Sequence, residues 1–127
     1  MKTERRKPTV YIASPYTGGD TAINTHFQCK VFDKLLHDKK VLPVAPLWSH
    51  FQHTLFPRPY ADWIEYDQQM LSLYDCCLRL DSEIDMDGYL QSESAGAEAE
   101  VKTFKNMGKP VFYSILNLYD WVDNIPK

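Results

Sequence analysis

SESAGAEAEVKTFKNMGKP, residues 92–110, reads as a loop, a helix and the approach to a strand. Ser94 is a suitable N-cap, because its hydroxyl can satisfy an orphan amide of the first turn. Gly108 and Pro110 stop the helix in the order that helix ends favour. Glu98 lies four residues before Lys102, the spacing of an exposed helical ion pair. Glu100 is spaced differently. Phe104 and Met107 follow it at +4 and +7, so this carboxylate shares a stripe with apolar groups. An inward carboxylate near a helix start is costly unless it is paired or used. A partly exposed glutamate at the edge of the stripe satisfies the same spacing.

Just before this stretch, residues 75–80 (DCCLRL) form an apolar run of strand length, and residues 111–114 form another just after it. Further upstream, residues 8–13 (PTVYIA) are a β-branched and aromatic run that reads as a buried strand. It ends in a Pro-, Gly- and Asp-rich loop, from which Asp20 or Thr21 caps a helix running to about His37. Ile23, Phe27, Val31 and Leu35 give that helix its apolar face. Residues 41–45 are a second strand, placed at a sheet edge by Pro43.

Residues 46–59 read as a long loop carrying Trp48, His50, Phe51, His53 and Phe56, a length typical of functional segments unless it hides a turn of its own. A helix follows from about Arg58 or Pro59 to Tyr74, with Tyr60, Trp63, Ile64, Leu71 and Tyr74 on its apolar face. Asp67 falls on the same face, at +3 from Ile64 and four before Leu71. Residues 82–93 are an acidic loop, and residues 117–122 a short terminal helix.

Strands alternating with helices predict βαβ units, a mainly parallel sheet of four to five strands and helices on both faces. The expected architecture is one α/β, doubly wound, flavodoxin-like domain with strand order 2-1-3-4. Ligands in such sheets bind beyond the carboxyl ends of the strands. The loop at residues 14–19, the long loop with the first half of its helix, and the start of the helix after Ser94 all converge there.

Composition narrows the function. The chain has 127 residues, 44% hydrophobic and 24% charged, as in an ordinary globular domain with a real core. A net charge of −3 gives no basic field for a nucleic acid polymer. No apolar run reaches membrane-spanning length, and the N-terminus lacks the apolar core of a signal peptide. Three cysteines make no disulfide framework, and Cys76 and Cys77 read as buried thiols of a reducing compartment. A cytoplasmic protein is expected.

Candidate chemistry follows from the convergence. Asp67 and Glu100 would approach one cavity from two helices, and a carboxylate pair can divide its work between nucleophile and acid. Tyr11, near the end of the first strand, can reach the same place or remain a core tyrosine. Gly18 and Gly19 before a helix could hold a phosphate on backbone amides, without the lysine of a nucleotide-binding fingerprint. His50 and His53 have no nearby third ligand, and residues 83–94 carry Ser94 where a calcium loop needs its final glutamate. No metal and no cofactor are expected.

Tyr11-Ile-Ala-Ser-Pro-Tyr-Thr-Gly-Gly19, Asp67 spaced before Asp75, and Ser94-x-Gly96-x-x-x-Glu100 together resemble the nucleoside 2-deoxyribosyltransferase superfamily. That superfamily includes deoxynucleoside 5′-monophosphate N-glycosidases and many uncharacterised bacterial and phage members, to which the segment at residues 56–60 and the Ser-Ala-Gly-Ala run are most similar. The likeness spans residues 11–114. It implies that Glu100 attacks C1′ of a deoxyribose, that Asp67 handles the proton on the leaving base and that Tyr11 orients the nucleophile. It further implies that Ser94 contacts sugar or phosphate and that Gly96 allows close backbone approach. Ser14, Gly18, Gly19, His50 and Trp63 complete the candidate substrate-binding set. The implied partner is a small nucleoside or nucleotide, and the implied state a homodimer or larger assembly whose neighbouring subunit lends a polar residue, for which Asn117 is the candidate here. Transferases of the superfamily usually carry Asp where this chain has Ser94, and the monophosphate hydrolases carry Ser. Those hydrolases also place an arginine in the first loop, where residues 14–19 have none. Transfer to a second base, hydrolysis of a 5′-monophosphate, and nucleotide binding without turnover are the three functions that follow.

Overall fold

The computed structural model describes residues 6–14, 21–46, 49–80 and 95–126. Four strands, β1 (Thr9–Ala13), β2 (Leu42–Val44), β3 (Cys76–Arg79) and β4 (Val111–Phe112), form one all-parallel sheet in the order β2-β1-β3-β4. Five helices connect and cover them: α1 (Thr21–Asp38), α2 (Ser49–Leu55), α3 (Tyr60–Met70), α4 (Ala95–Asn106) and α5 (Ile115–Asp123). This is the doubly wound, flavodoxin-like α/β arrangement that the alternating pattern predicts.

Side chains alternate across the sheet, and that alternation divides the core in two. Val10, Ile12, Cys76 and Leu78 point to one face, where Phe27, Val31 and Leu35 of α1 and Ile115 and Leu118 of α5 cover them. Tyr11, Ala13 and Cys77 point to the other, beneath Ala97, Val101 and Phe104 of α4 and Leu71. Val31, Leu35 and Phe104 are fully buried, each worth about 1.5–3 kcal/mol in transfer from water. Central β1 and β3 are buried on both faces, which is why their sequences are nearly continuous apolar runs. Pro43 sits in β2 at the sheet edge, where its missing amide leaves no gap in a ladder. Cys76 and Cys77 are buried free thiols.

Two ties fix the ends of the strands. Asp75 accepts from the Thr9 amide at 2.8 Å and from the Thr9 hydroxyl at 3.1 Å, which locks the start of β3 to the start of β1. Gly108, at φ 73°, closes α4: its amide bonds Lys105 O and that of Lys109 bonds Phe104 O, each at 3.0 Å. Lys109, just before β4, then reaches to Ser72 O at 2.8 Å and ties the approach to β4 to the turn that leads into β3.

Three local expectations change. The segment at residues 46–59 contains a helix, α2, instead of running as a loop. The following helix ends at Met70 and tightens into a 3₁₀ turn over Leu71–Leu73. Its Tyr60 and Ile64 face outward, 65% and 41% exposed, because α3 lies over a cavity rather than over the sheet and buries no residue fully. Ile23, placed on the inner face of α1 by its spacing, is 66% exposed, since the core beneath α1 begins only at Phe27. Among the described residues no helix is long and apolar enough to cross a membrane.

Candidate functional site

A cavity of about 340 Å³ opens between the sheet and α3, at the lower end of the range for small-molecule sites. Tyr11, Val44, Pro46 and Tyr74 line its sheet side; Gln52 of α2 and Trp63, Tyr66, Asp67 and Met70 of α3 line the rest. The helical spacing 63–67–70 puts Trp63, Asp67 and Met70 on one stripe. These three are half-buried, whereas their neighbours on α3 are exposed. Asp67 therefore belongs to the inward stripe as its spacing predicts, although it lies in the second half of a helix that is shorter than expected.

Tyr11 is the wall between this cavity and α4. Its ring stacks on Tyr74 at 5.4 Å between centroids and tilts against Phe104 at 5.7 Å, so its orientation is fixed on two sides. Its hydroxyl donates a hydrogen bond to Glu100 Oε2. Burial, and then the charge of Glu100, hold the Tyr11 phenol well above its usual value, so it remains a donor. Glu100 is half-buried on α4 and shares its stripe with Phe104, which is fully buried.

Both carboxyl groups are shifted in the same direction. Burial, chiefly, pushes Glu100 up to about 7; the Asp67 charge adds to the rise, while the Tyr11 hydrogen bond and the Arg79 charge oppose it. Burial alone pushes Asp67 up to about 6. Two carboxyls that act on each other titrate as a pair, and here the pair holds one proton between about pH 6 and about pH 7. The proton then sits mainly on Glu100, so the form with Glu100 ionised and Asp67 protonated, which nucleophilic attack with acid assistance requires, is the minor of the two singly protonated forms.

Tyr11, Asp67 and Trp63 thus line one cavity; Glu100 is not among its lining residues and is joined to it through the hydrogen bond from Tyr11. Ser14 is not with them: its hydroxyl accepts from Gln28 Nε2 of α1 at 3.0 Å, on the opposite face of the sheet from Tyr11, and the same Gln28 nitrogen also bonds Ile12 O at 3.0 Å. Asp75 lies at the amino end of β3, in its clamp with Thr9, away from the carboxyl-end site. Asn117 gives its amide to the Ser114 hydroxyl at 3.1 Å on exposed α5, the helix that packs on the face remote from Tyr11. Gly18, Gly19 and Ser94 lie outside the described residues. His50 and Gly96 fall within α2 and α4, where only the backbone is described. His53 accepts from the Trp63 indole at 2.9 Å and braces that ring against α2. Among the described residues no group of three His, Cys, Asp or Glu could hold a metal ion.

Sequence reasoning missed several wall residues and one charge. Gln52 and Tyr66 carry no spacing signal, because the cavity that selects them forms only when α2 and α3 fold over the sheet, whereas Met70, three residues after Asp67, lies on its stripe and could have been found from that spacing. Arg79 did carry a signal: a lone cation inside the apolar run DCCLRL. It is fully buried, and its Nε donates to Glu98 Oε1 at 3.2 Å. Glu98, spaced to pair with Lys102, pairs with Arg79, since a guanidinium removed from water gains more from a carboxylate than an exposed lysine does.

An oriented carboxylate beside a cavity with a second carboxyl is an arrangement capable of acid–base and nucleophilic chemistry. No protein-family model matches this chain, and no curated protein matches it significantly. The site is therefore read from its own geometry. Tyr11→Phe removes the bond that favours ionised Glu100, so Glu100 should titrate above about 7. The expected result is a rate about tenfold lower at neutral pH, with the acid limb of the pH–rate profile moved to higher pH. A uniform loss at every pH would place the hydroxyl in another role.

Proposed function

We propose that this protein cleaves the N-glycosidic bond of a 2′-deoxynucleoside or deoxynucleotide through a glycosyl ester on Glu100. The observation that carries the reading is the hydrogen bond from Tyr11 to Glu100, made by a residue that also walls a cavity containing Asp67. A carboxylate oriented by a buried phenol is a fixed nucleophile, and a second carboxyl with a raised value is a proton donor near neutral pH. Glu100 forms a bond to C1′ as the C1′–N bond breaks; the bonding pair leaves with the base, which takes the Asp67 proton. Water or a second base then attacks C1′ and gives its proton to the Asp67 carboxylate, the C1′–O bond of the ester breaks, its bonding pair returns to Glu100 as a carboxylate, and Asp67 is again an acid. The configuration at C1′ is retained through two displacements. Trp63, Tyr66 and Tyr74 offer ring faces and edges on which a base can rest.

Incubation with the four common 2′-deoxynucleosides and their 5′-monophosphates, with and without a free acceptor base, tests the reading. Base exchange identifies a transferase. Free base and deoxyribose, or its 5-phosphate, identify a hydrolase. Neither product from any substrate contradicts the reading and leaves a binding protein.

The same resemblance implies a homodimer or larger assembly. Phe51 and Leu55, one turn apart on α2, and Phe56 and Tyr60 just beyond are 60%, 72%, 68% and 65% exposed, and these apolar side chains, close together in sequence, are the candidate contact. Sedimentation at micromolar concentration should show a mass above that of the monomer, and Phe51→Glu with Leu55→Glu should return the monomer. A monomer throughout would remove the shared-site expectation.

A further inference from the structure

Helix α3 carries two walls of the cavity, Trp63 and Asp67, yet it buries no residue fully. Packing alone therefore does little to fix how α3 turns about its own axis. Polar ties do more. In its second half, the Thr103 hydroxyl of α4 donates to Gln68 Oε1 at 3.1 Å. Near its start the tie is a single ring nitrogen. His53 Nδ1, on α2, accepts from the Trp63 indole at 2.9 Å and from the Arg58 amide, just ahead of α3, at 3.3 Å. An indole N–H and a backbone N–H can only donate, so Nδ1 carries a lone pair and the proton of the neutral ring lies on Nε2. The two rings meet edge to face at 6.1 Å between centroids, and Trp63 meets Tyr66 in the same way at 6.4 Å.

We propose that His53 is a positioning residue of the cavity: by accepting from both donors at once, it sets the Trp63 ring as a fixed wall for the ligand and holds α3 in the rotation that turns Asp67 inward. This deepens the reading of the cavity as the place where the base of a deoxynucleoside binds, and rests on it. Trp63 and Asp67 stand four residues apart on one helical stripe and both line the cavity, so one bond governs the aim of both. The neighbouring charges do not replace the ring nitrogen. The Arg58 guanidinium is a donor only, and it engages the Asp62 carboxylate beside Trp63 at 3.2 Å. A wall that is not held must be ordered by each ligand that enters, and the apparent affinity falls by the fraction of molecules in which the wall is already in place.

The test has a spectroscopic arm and a binding arm. In 15N-labelled protein in mild alkali, NMR should show a coupling across the N–H···N bond between the Trp63 indole nitrogen and His53 Nδ1, with Trp63 assigned by the signal lost in Trp63→Phe. Binding is read by calorimetry with each of the four common 2′-deoxynucleosides on Glu100→Gln, which cannot form the ester. His53→Leu removes the acceptor, and His53→Gln carries it one bond too far; His53→Asn keeps an oxygen where Nδ1 stands. Adding either of the first two should raise the dissociation constant about tenfold, whereas adding His53→Asn should keep it within about twofold. His53→Gln against His53→Asn decides the matter if His53→Leu does not fold. A merely structural histidine would lower the melting temperature and leave the affinity alone. An affinity indifferent to His53→Leu and His53→Gln, one that His53→Asn fails to keep, or no coupling between the two nitrogens overturns the proposal. Binding of no deoxynucleoside overturns it together with the reading of the cavity. The expected losses of affinity, with no turnover by the wild type, would refute the glycosyl ester and keep the role of His53, whereas turnover with an affinity indifferent to His53 would refute that role alone.

Discussion

Glu100→Gln is expected to abolish turnover and, at alkaline pH, to make the protein more stable. An amide cannot form the glycosyl ester, and loss of a covalent nucleophile costs about a thousandfold or more. The stability gain follows from the same burial. Glu100 is raised from 4.5 to about 7 in the fold. A carboxyl with a raised folded value contributes stability that is fully present below its unfolded value and is lost as pH rises through the folded one. The wild type therefore carries a destabilising charge at pH values above about 7, and the glutamine does not. Its amide oxygen can still accept from Tyr11, so the hydrogen bond is kept. The difference is about 3 kcal/mol at most at alkaline pH, seen as a melting temperature higher by roughly 10 °C, and it should vanish in acid. Thermal melts at two pH values, beside an activity assay, check both halves. An active variant would remove Glu100 from the nucleophile role, and a variant less stable than wild type in alkali would mean that the carboxylate is better compensated than its surroundings suggest.

Asp67→Asn carries the second large effect. General acid catalysis contributes about 10²–10⁴-fold, and it matters most when the departing base is a poor leaving group. Loss should therefore be steep for bases that leave badly and shallow for activated ones; equal loss across all bases would count against the acid role. The pH profile gives an independent check. The wild-type kcat/KM should be bell-shaped, with its maximum where the pair holds one proton, between about 6 and about 7. In the variant the alkaline limb should disappear. The remaining acid limb should then be set by Glu100 alone, at about 7 or a little below it, since the Asp67 charge no longer opposes ionisation of Glu100.

The fold was legible because its signals are local and agree with one another. Apolar runs at 8–13 and 75–80 are buried on both faces and need no alternation, Pro43 marks an edge, and Gly108 marks a helix end. Both carboxylates were placed by helical spacing, Glu100 by Phe104 and Met107 and Asp67 by Ile64 and Leu71; Phe104 and Leu71 are buried, whereas Met107 and Ile64 are 36% and 41% exposed. What escaped depends on how distant segments meet. Helix α2 was read as loop because its apolar residues Phe51 and Leu55 remain exposed and impose no buried apolar period. Ser14 sits one residue past β1, and the sequence does not reveal that Gln28 holds it toward α1. Arg79 was visible as an oddity in a strand, but its pairing with Glu98 joins two elements whose separation only the βαβ crossover sets.

The covalent step is open to direct observation. Asp67→Asn slows departure of the base, so it should be given a deoxynucleoside with a good leaving group, which still loads the enzyme, and quenched in acid. Peptide mass spectrometry should then find one deoxyribosyl group on the peptide that contains Glu100, absent from the double variant that also carries Glu100→Gln. Turnover with that peptide unmodified, or with the sugar on another residue, would contradict the glycosyl ester on Glu100.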